Sequence, residues 1–524
     1  MAATFLFTPA SLSTAPGQLE LHPEPKHVFL LWQAFAENVN PLTKIIHAPT
    51  LQKRIFEAAW AVESVSKPLE ATMLAVYALA IASMKPADCI RVFGESKSVL
   101  ESRYRTGALQ ALSGTDVLLT RELEVLQALA LVLVRRTYGA PPEVESCCLA
   151  NVCLWGGVFK MIDPQSELSM TAVALAMRIA HKMKLHRAGE DSEMPFFQQE
   201  MKVRLWWFIR GLNSRTRRGM GLLATVDDLG DARLPMNVND ADLHPSMANP
   251  PAAQHTAATE MAYCLLKYDL WSFVRRSGNF AGNPNPREKA AELIASTSVE
   301  SMAKKEKVVG EVDRMLQERY LDHLDPSIPL HRLTAAMAGI AVHNQRFMMF
   351  HPRHQPEGGR CMSQAHQDLV FESCVKLLEL DREVRSTNFS TALVDHMACR
   401  TQVEALAYMV SELRRRTSGP VVETAWALLE EMHDEQPLVL RGDHKFYTAL
   451  ADLTLEAWDA RWRALGLRAE AVPKFIEMLQ LSTRNAAAGN EHMTDMEGLH
   501  TASASDLMPD EPLDWGYWHD LLQL

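Results

Sequence analysis

The sequence predicts an all-α protein, on three observations. Apolar residues recur at helical spacing through most of the chain. Alternating, β-branched strand patterns are almost absent. Hydrophobic residues make up 47% of the 524 and charged residues 22%, the balance of a globular chain with a core to bury. Together they specify a large irregular helical bundle that needs no disulfide or metal to hold it.

The elements follow in order. Residues 1–26, rich in Pro, Ser, Thr and Ala, read as a disordered arm. From His27 the helical body begins, with Phe29, Leu30, Trp32, Phe35 and Ala36 at helical spacing. Pro41 breaks that run. Pro49 opens a second helix with Leu51, Ile55, Ala58, Ala59 and Val62 on one face. Leu69 to Met84 is apolar nearly all round, as a central helix should be. Ser98–Ala111 and Thr120–Arg136 follow, with the Thr120 hydroxyl placed to cap free N–H groups. Ala172–Lys184 and Phe196–Leu212 continue the pattern. Leu222–Asn249, dense in Asp, Asn and Pro, is the least helical stretch. Thr259–Val274 is helical again. Residues 277–307 read as a polar break or insertion, either a surface helix or a loop. Further helices are expected over 310–323, 330–350, 364–384, 396–416, 421–433, 444–464 and 470–481. The helical body thus spans 27–484, and residues 485–524 form an acidic-aromatic tail. No 30–45-residue repeat is visible.

The net charge is −11, whereas a surface that grips phosphates broadly is usually basic. Autonomous DNA binding is therefore not expected. Eight acids and no Lys or Arg lie between Asn485 and Leu524. The eight cysteines (Cys89, Cys147, Cys148, Cys153, Cys264, Cys361, Cys374 and Cys399) are scattered, as suits reduced thiols in the cytosol or nucleus. A two-zinc cluster would need six thiolates within about forty residues, and adjacent Cys147 and Cys148 cannot easily share one metal. His351, His354 and Cys361 offer another possible ligand set, and the favoured reading is a solvent-exposed loop. The first residues lack the basic and apolar regions of a signal peptide. No window approaches 18 consecutive apolar residues, so no membrane span is expected.

No HExxH, GxSxG or GxxxxGK[ST] pattern occurs. Gly219, Gly221 and Ala224 fit a loose GxGxxA, but it follows a helix instead of a strand and reads as a turn. No catalytic residue, no metal and no cofactor are assigned, and the chain is not expected to be an enzyme. Arg204, Arg210, Arg215, Arg217 and Arg218 offer a phosphate patch or, the favoured reading, pairs for Asp227, Asp228 and Asp231. Trp206 and Trp207 point about 100° apart on a helix, so they wedge against different neighbours.

With those residues in view, the chain resembles a known family. Arg204-Leu205-Trp206-Trp207-Phe208-Ile209 with Leu212-Asn213-Ser214-Arg215 is similar to the "RRLWW-x-I-x-x-LD-x-R" segment of the fungal-specific transcription factor domain. Ala176-Met177-Arg178-Ile179-Ala180 and Lys184-Leu185-His186-Arg187 resemble its "AxRxAxxLGLHRD" segment. Leu234-Pro235-Met236-Asn237-Val238-Asn239-Asp240-Ala241-Asp242-Leu243 resembles its "LPxNINDxDL" segment. Tyr104-Arg105 and Leu126-Gln127-Ala128-Leu129 match the helix pair before these. The segments come in the family's order, and the likeness is clearest over 28–270. Asn213 stands where the family has Asp, and Lys184 where it has Gly. The family's N-terminal zinc cluster is not among these residues.

The resemblance implies about fifteen to twenty helices. It also implies a regulator of a fungal, secondary-metabolite biosynthetic gene cluster, nuclear with the cytoplasm as a second compartment. Its partners would be other transcription factors or the transcription machinery, with DNA reached through a partner, a small-molecule effector, and a second copy in a dimer. Arg204, Leu205, Trp206, Trp207, Arg215, His186, Arg187, Leu234, Pro235, Asn237, Asp240 and Asp242 are read as structural motif residues. Asp514, Trp515, Trp518, Leu521 and Leu522 are read as an activation tail, with a final helix docked on the body as the alternative. The tail's acids keep it extended, so its apolar side chains reach a partner's groove. Two alternatives stand beside this reading. The helical body is recruited as a pathway enzyme or small-molecule binder, with methionines lining an adaptable pocket. Or the reading frame is shortened at its 5′ end, where the zinc cluster is encoded.

Overall fold

A computed structural model describes residues 21–138, 164–188, 194–219, 232–276, 286–355, 362–387, 389, 394, 399–435, 445–466, 472–490, 514, 515 and 518. Among the described residues there are eighteen α-helices and no strand. The first half contains α1 (Pro25–Asn38), α2 (Asn40–Thr43), α3 (Ala48–Ala58), α4 (Lys67–Ser83), α5 (Pro86–Phe93) and α6 (Lys97–Ser113). It continues with α7 (Leu123–Tyr138), α8 (Pro164–Lys182), α9 (Phe196–Gly219) and α10 (Ala262–Arg276). Then come α11 (Pro286–Ala295), α12 (Val299–Arg319), α13 (Pro329–Phe350) and α14 (Gln364–Arg385). The last are α15 (Cys399–Leu413), α16 (Pro420–Glu435), α17 (Lys445–Leu465) and α18 (Lys474–Asn490).

Local chemistry sets many of the boundaries. Proline occupies one of the first two positions of α1 to α5 and of α13, where no intrahelical N–H is lost and φ is already helical. α5 stops at Gly94, whose φ of 75° suits a residue without Cβ. α12 and α14 open on Ser298 and Ser363, whose hydroxyls accept from Ser301 N at 3.2 Å and His366 N at 3.3 Å. Thr120 acts differently from the cap expected of it. Its hydroxyl accepts from Glu122 N at 3.0 Å, one residue ahead of α7.

α4 is the central helix of the first half. Every residue from Leu69 to Ala82 is buried, and α1, α6 and α7 surround it. Leu21 is buried too, so packing includes residues just ahead of His27. Residues 286–319 form two helices, and α12 turns Val308, Val309, Val312 and Leu316 inward. α13, α14, α15 and α17 pack in succession, and α10 touches both α2 and α13. One continuous apolar core therefore runs from Leu21 to Trp518. Gly211 of α9 makes room for a side chain of α10, since a Cβ there would overlap the Trp271 ring.

Several imidazoles are held inside this core. The His22 ring is 2% exposed, and His351 and His433 are buried. Burial pushes all three below the ordinary value, and in His351 Arg353 and His354 add to it. His343 is pushed down to about 4 by burial first, then by Arg346 and Lys376. The unfolded chain therefore binds more protons below the ordinary histidine pKa of 6.5. Stability is full above that pH and declines as pH falls through it toward about 4. Urea midpoints at about pH 7.5 and about pH 5 should differ, the lower at acid pH. Equal midpoints would show that these rings titrate alike in both states.

Candidate functional site

Polar side chains from several elements converge on residues 232–260, in the connection between α9 and α10. This segment cannot continue a helix, because Pro235 and the run Asn237 to Asp242 turn the backbone and bond back to it. Asn239 and Asp242 form a reciprocal cap around a single 3-10 turn, Asp240–Asp242, with Asn239 N donating to Asp242 Oδ2 at 2.7 Å. Asn237 ties the segment to its own return. Its Nδ2 donates to His255 O at 2.8 Å and Ala257 O at 2.9 Å, and its Oδ1 accepts from Thr259 Oγ1 at 2.8 Å. His255 Nε2 lies 2.8 Å from Asp242 Oδ2.

This geometry aims the Asp240 carboxylate inward, where it is the hub of a buried ionic clasp. Lys44 Nζ donates to Asp240 Oδ2 at 2.8 Å and to Glu260 Oε2 at 2.6 Å. Arg204 Nη1 donates to Asp240 Oδ1 at 2.7 Å, and its Nε to Glu200 Oε1 at 3.3 Å. Arg233 closes on Glu200 Oε2 at 2.7 Å. Two backbone amides join, Ala48 N to Asp240 Oδ2 at 3.3 Å and Met236 N to Glu200 Oε1 at 3.0 Å. Lys44 and Arg204 are each 1% exposed. Three cations thus meet three carboxylates, and charge balance offsets the cost of taking them out of water. Burial alone would raise the Asp240 carboxyl, but Lys44 and Arg204 together hold it below its ordinary value. Lys44 reaches the clasp from a left-handed backbone, φ 46°, at the end of α2. The clasp therefore fastens the α2–α3 corner, α9 and the following loop into one unit.

The aromatic pair on α9 faces two ways. Trp206 is fully buried beside His181, 5.1 Å away on α8, and His186, 6.0 Å away. Trp207 stacks on Tyr268 of α10 at 5.4 Å, with the Arg210 guanidinium 4.5 Å from its ring. Trp207 Nε1 donates to Arg233 O at 2.8 Å, tying the helix to the clasp loop. Leu205 and Pro235 are buried, and Leu234 packs against the core. Arg187 is exposed at the 3-10 turn Leu185–Arg187.

Lys184, which begins that turn, has φ 58°. The left-handed conformation costs a residue with a Cβ about 1 kcal/mol. Lys184→Gly should therefore raise stability by about 0.5–1 kcal/mol, read as a higher urea midpoint. A lower midpoint would count against strain at this position.

Beside the clasp lies a cleft of about 710 Å³, lined by Arg233, Asn237, His255, Asp269, Arg319 and Tyr320 among others. Asp269 is 1% exposed and accepts from Arg319 Nη1 and Tyr320 Oη, both at 2.6 Å. The charged groups of the cleft are thus paired with one another or with the clasp, Arg319 with Asp269, His255 with Asp242 and Arg233 with Glu200.

The structure bears on three sequence readings. Arg204 pairs with Glu200 and Asp240, where closeness along the chain suggests Asp227, Asp228 and Asp231. Those three acids lie outside the described residues, as do the side chains of Arg215, Arg217 and Arg218. His351 is not solvent-exposed. It is fully buried at the end of α13, 3.7 Å from Glu404, while Cys361 lies outside the described residues. The third concerns the tail. Trp518 is 3% exposed, 5.5 Å from Phe446 of α17, and Trp515 lies 4.3 Å from His351 and stacks near Tyr408 of α15 at 6.3 Å. The tail's acids do not keep these rings in water, because an indole offers about 150–250 Å² to bury while Asp514 stays outside. Leu521 and Leu522 lie outside the described residues.

Lys44, Glu200, Arg233 and Glu260 belong to the clasp but were not anticipated. Glu200 and Arg204 stand four apart on one helix, a spacing that could have suggested a pair. Among the described residues no group of three His, Cys, Asp or Glu is placed to share a metal ion.

Comparison with known proteins centres on the same region. The family profile "Fungal specific transcription factor domain" matches residues 32–254, from α1 through the clasp loop. The chain is 29% identical to the aurofusarin cluster transcription factor aurR2 of Gibberella zeae, over 94% of this chain and 70% of that protein. It is 26% identical to the transcriptional regulator AacuB of Aspergillus aculeatus, over 92% of this chain and 61% of that one. It is 28% identical to the pyriculol/pyriculariol biosynthesis cluster transcription factor 1 of Pyricularia oryzae, over 88% of this chain and 58% of that one. The chain thus spans between 58% and 70% of the length of these relatives.

Proposed function

We propose, from the match of residues 32–254 to the fungal specific transcription factor domain family, that the chain regulates transcription of a fungal secondary-metabolite gene cluster. The observation that carries the reading is the likeness to cluster regulators over 88–94% of this chain, with two family segments and the α2–α3 corner joined in space. The "RLWW" helix, the "LPMNVNDADL" loop and the α2–α3 corner meet at Asp240. We assign residues 27–484 to the regulatory body and 485–524 to an activation region. The motif residues from His186 to Asp242 hold the body together. With a net charge of −11 and dispersed cysteines, contact with promoters comes from outside these residues, through a partner's DNA reader, in the nucleus. A small polar effector would enter the cleft beside the clasp.

Two experiments test this. Deleting the gene should lower transcripts of neighbouring biosynthetic genes. Unchanged transcripts with an accumulating intermediate would instead make the chain a pathway enzyme. Residues 485–524 fused to a heterologous DNA-binding domain should activate a reporter, and silence there would remove the activation assignment.

A further inference from the structure

The connection between α15 and α16 holds the chain's one run of three consecutive arginines, Arg414-Arg415-Arg416, followed by Thr417, Ser418 and Gly419. The three arginine side chains part company. Arg414 turns inward, its side chain 3% exposed, and its Nη1 donates to Glu456 Oε2 of α17 at 3.3 Å. Arg415 stays outside, 41% exposed, and reaches back to Glu412. Arg416 is 21% exposed, with Nε donating to Glu412 Oε2 at 2.9 Å and Nη1 to Asp368 Oδ1 of α14 at 2.6 Å. Beyond them the backbone leaves the helix. Ser418 and Gly419 are exposed, and none of the Thr417, Ser418 and Gly419 amides donates to a backbone carbonyl among the described residues. Gly419 has φ 123°, a conformation that favours glycine, and open space lies where its Cβ would be. An uncrowded hydroxyl therefore follows two partly exposed arginines on a stretch of backbone with free amides.

We propose that Ser418 is a phosphorylation site for an arginine-directed serine/threonine kinase. Such a kinase binds its substrate extended, with carboxylate pockets for arginines two and three residues ahead of the acceptor, where each guanidinium makes paired hydrogen bonds. The run offers two registers. Thr417 as acceptor needs Arg414 and Arg415, and Arg414 is shut inside against α17. Ser418 as acceptor needs Arg415 and Arg416, whose partners Glu412 and Asp368 are carboxylates of the kind the kinase supplies in exchange. The fold thus selects Ser418 over its neighbour. In the step, Ser418 Oγ attacks the γ-phosphorus of ATP and the bond from that phosphorus to the ADP oxygen breaks. The hydroxyl proton passes to the kinase's general base.

The test uses the folded full chain, the catalytic subunit of cyclic-AMP-dependent protein kinase and magnesium ATP, with sites read by mass spectrometry. Phosphate should appear on Ser418, at a rate within about tenfold of that for a synthetic peptide of residues 412–422. Thr417→Ala should keep the label and Ser418→Ala should lose it. Arg415→Lys, at an exposed position, should be labelled on the order of tenfold more slowly, because an ammonium cannot make the paired bonds. No label on Ser418, label on Thr417 in its place, or label on Ser418 only after urea unfolding overturns the proposal. An Arg415→Lys chain labelled as fast as the wild type overturns it too. Site mapping on the wild-type chain gives the answer even if a variant fails to fold.

Discussion

Asp240→Ala is expected to destabilise the fold by about 3–5 kcal/mol, because it strands buried cations. Lys44 would keep only Glu260, whose side chain is half exposed, and Arg204 would keep only Glu200 at 3.3 Å. The Ala48 amide would lose its acceptor as well. Asp240→Asn should cost less, since the amide oxygen still accepts one bond while the charge is gone. The check is urea unfolding followed by far-ultraviolet circular dichroism at neutral pH. A loss for Asp240→Ala under about 1 kcal/mol would show that the clasp does not hold the corner, loop and helix together. The same carboxylate sets an acid limit. Its folded pKa is below the ordinary value of 3.8, so its contribution is complete above that value. It disappears as pH falls through the lower one.

Trp206→Ala is expected to cost about 3–5 kcal/mol, the range for emptying a buried aromatic site. The ring is fully buried between α9 and the His181–His186 pair, and the surrounding helices are tied by their own contacts, so the hole cannot collapse. Trp206→Phe gives the contrast. Trp206 Nε1 is buried with no acceptor among the described residues, so phenylalanine removes an unsatisfied donor and leaves a smaller void. It should lose well under half of what alanine loses. Trp207→Phe is the reverse case, since Trp207 Nε1 does have an acceptor in Arg233 O. Ranking the three by thermal denaturation checks the assignment. Equal losses for Trp206→Ala and Trp206→Phe would place the energy in the indole nitrogen, against the packing account.

The helices were legible because periodicity is a local signal. α4 announced itself by being apolar all round, and its residues Leu69 to Ala82 are all buried. The loop after α9 was legible through Pro235 and its Asn and Asp run. The clasp was legible only in part. Arg204 and Asp240 stood out, but proximity along the chain suggested Asp227, Asp228 and Asp231 as partners. The actual hub lies 36 residues from Arg204 and 196 from Lys44. Nothing local marks Lys44, whose role depends on a left-handed turn between two short helices. The tail shows a different gap. Its composition was readable, but whether its indoles face water or the body depends on Tyr408, Phe446 and His351, which no nearby residue reveals.

The 196-residue span between Lys44 and Asp240 also sets a schedule during synthesis. A ribosome adds about 5–20 residues per second, so Lys44 waits roughly 10–40 s for its carboxylate to be made. Through that interval its ammonium must stay hydrated, and the corner it anchors cannot close over the growing helices. A nascent chain stalled before residue 240 would present unsealed apolar faces to chaperones, whereas one stalled after Asp240 and Glu260 have left the ribosome could already shut this joint.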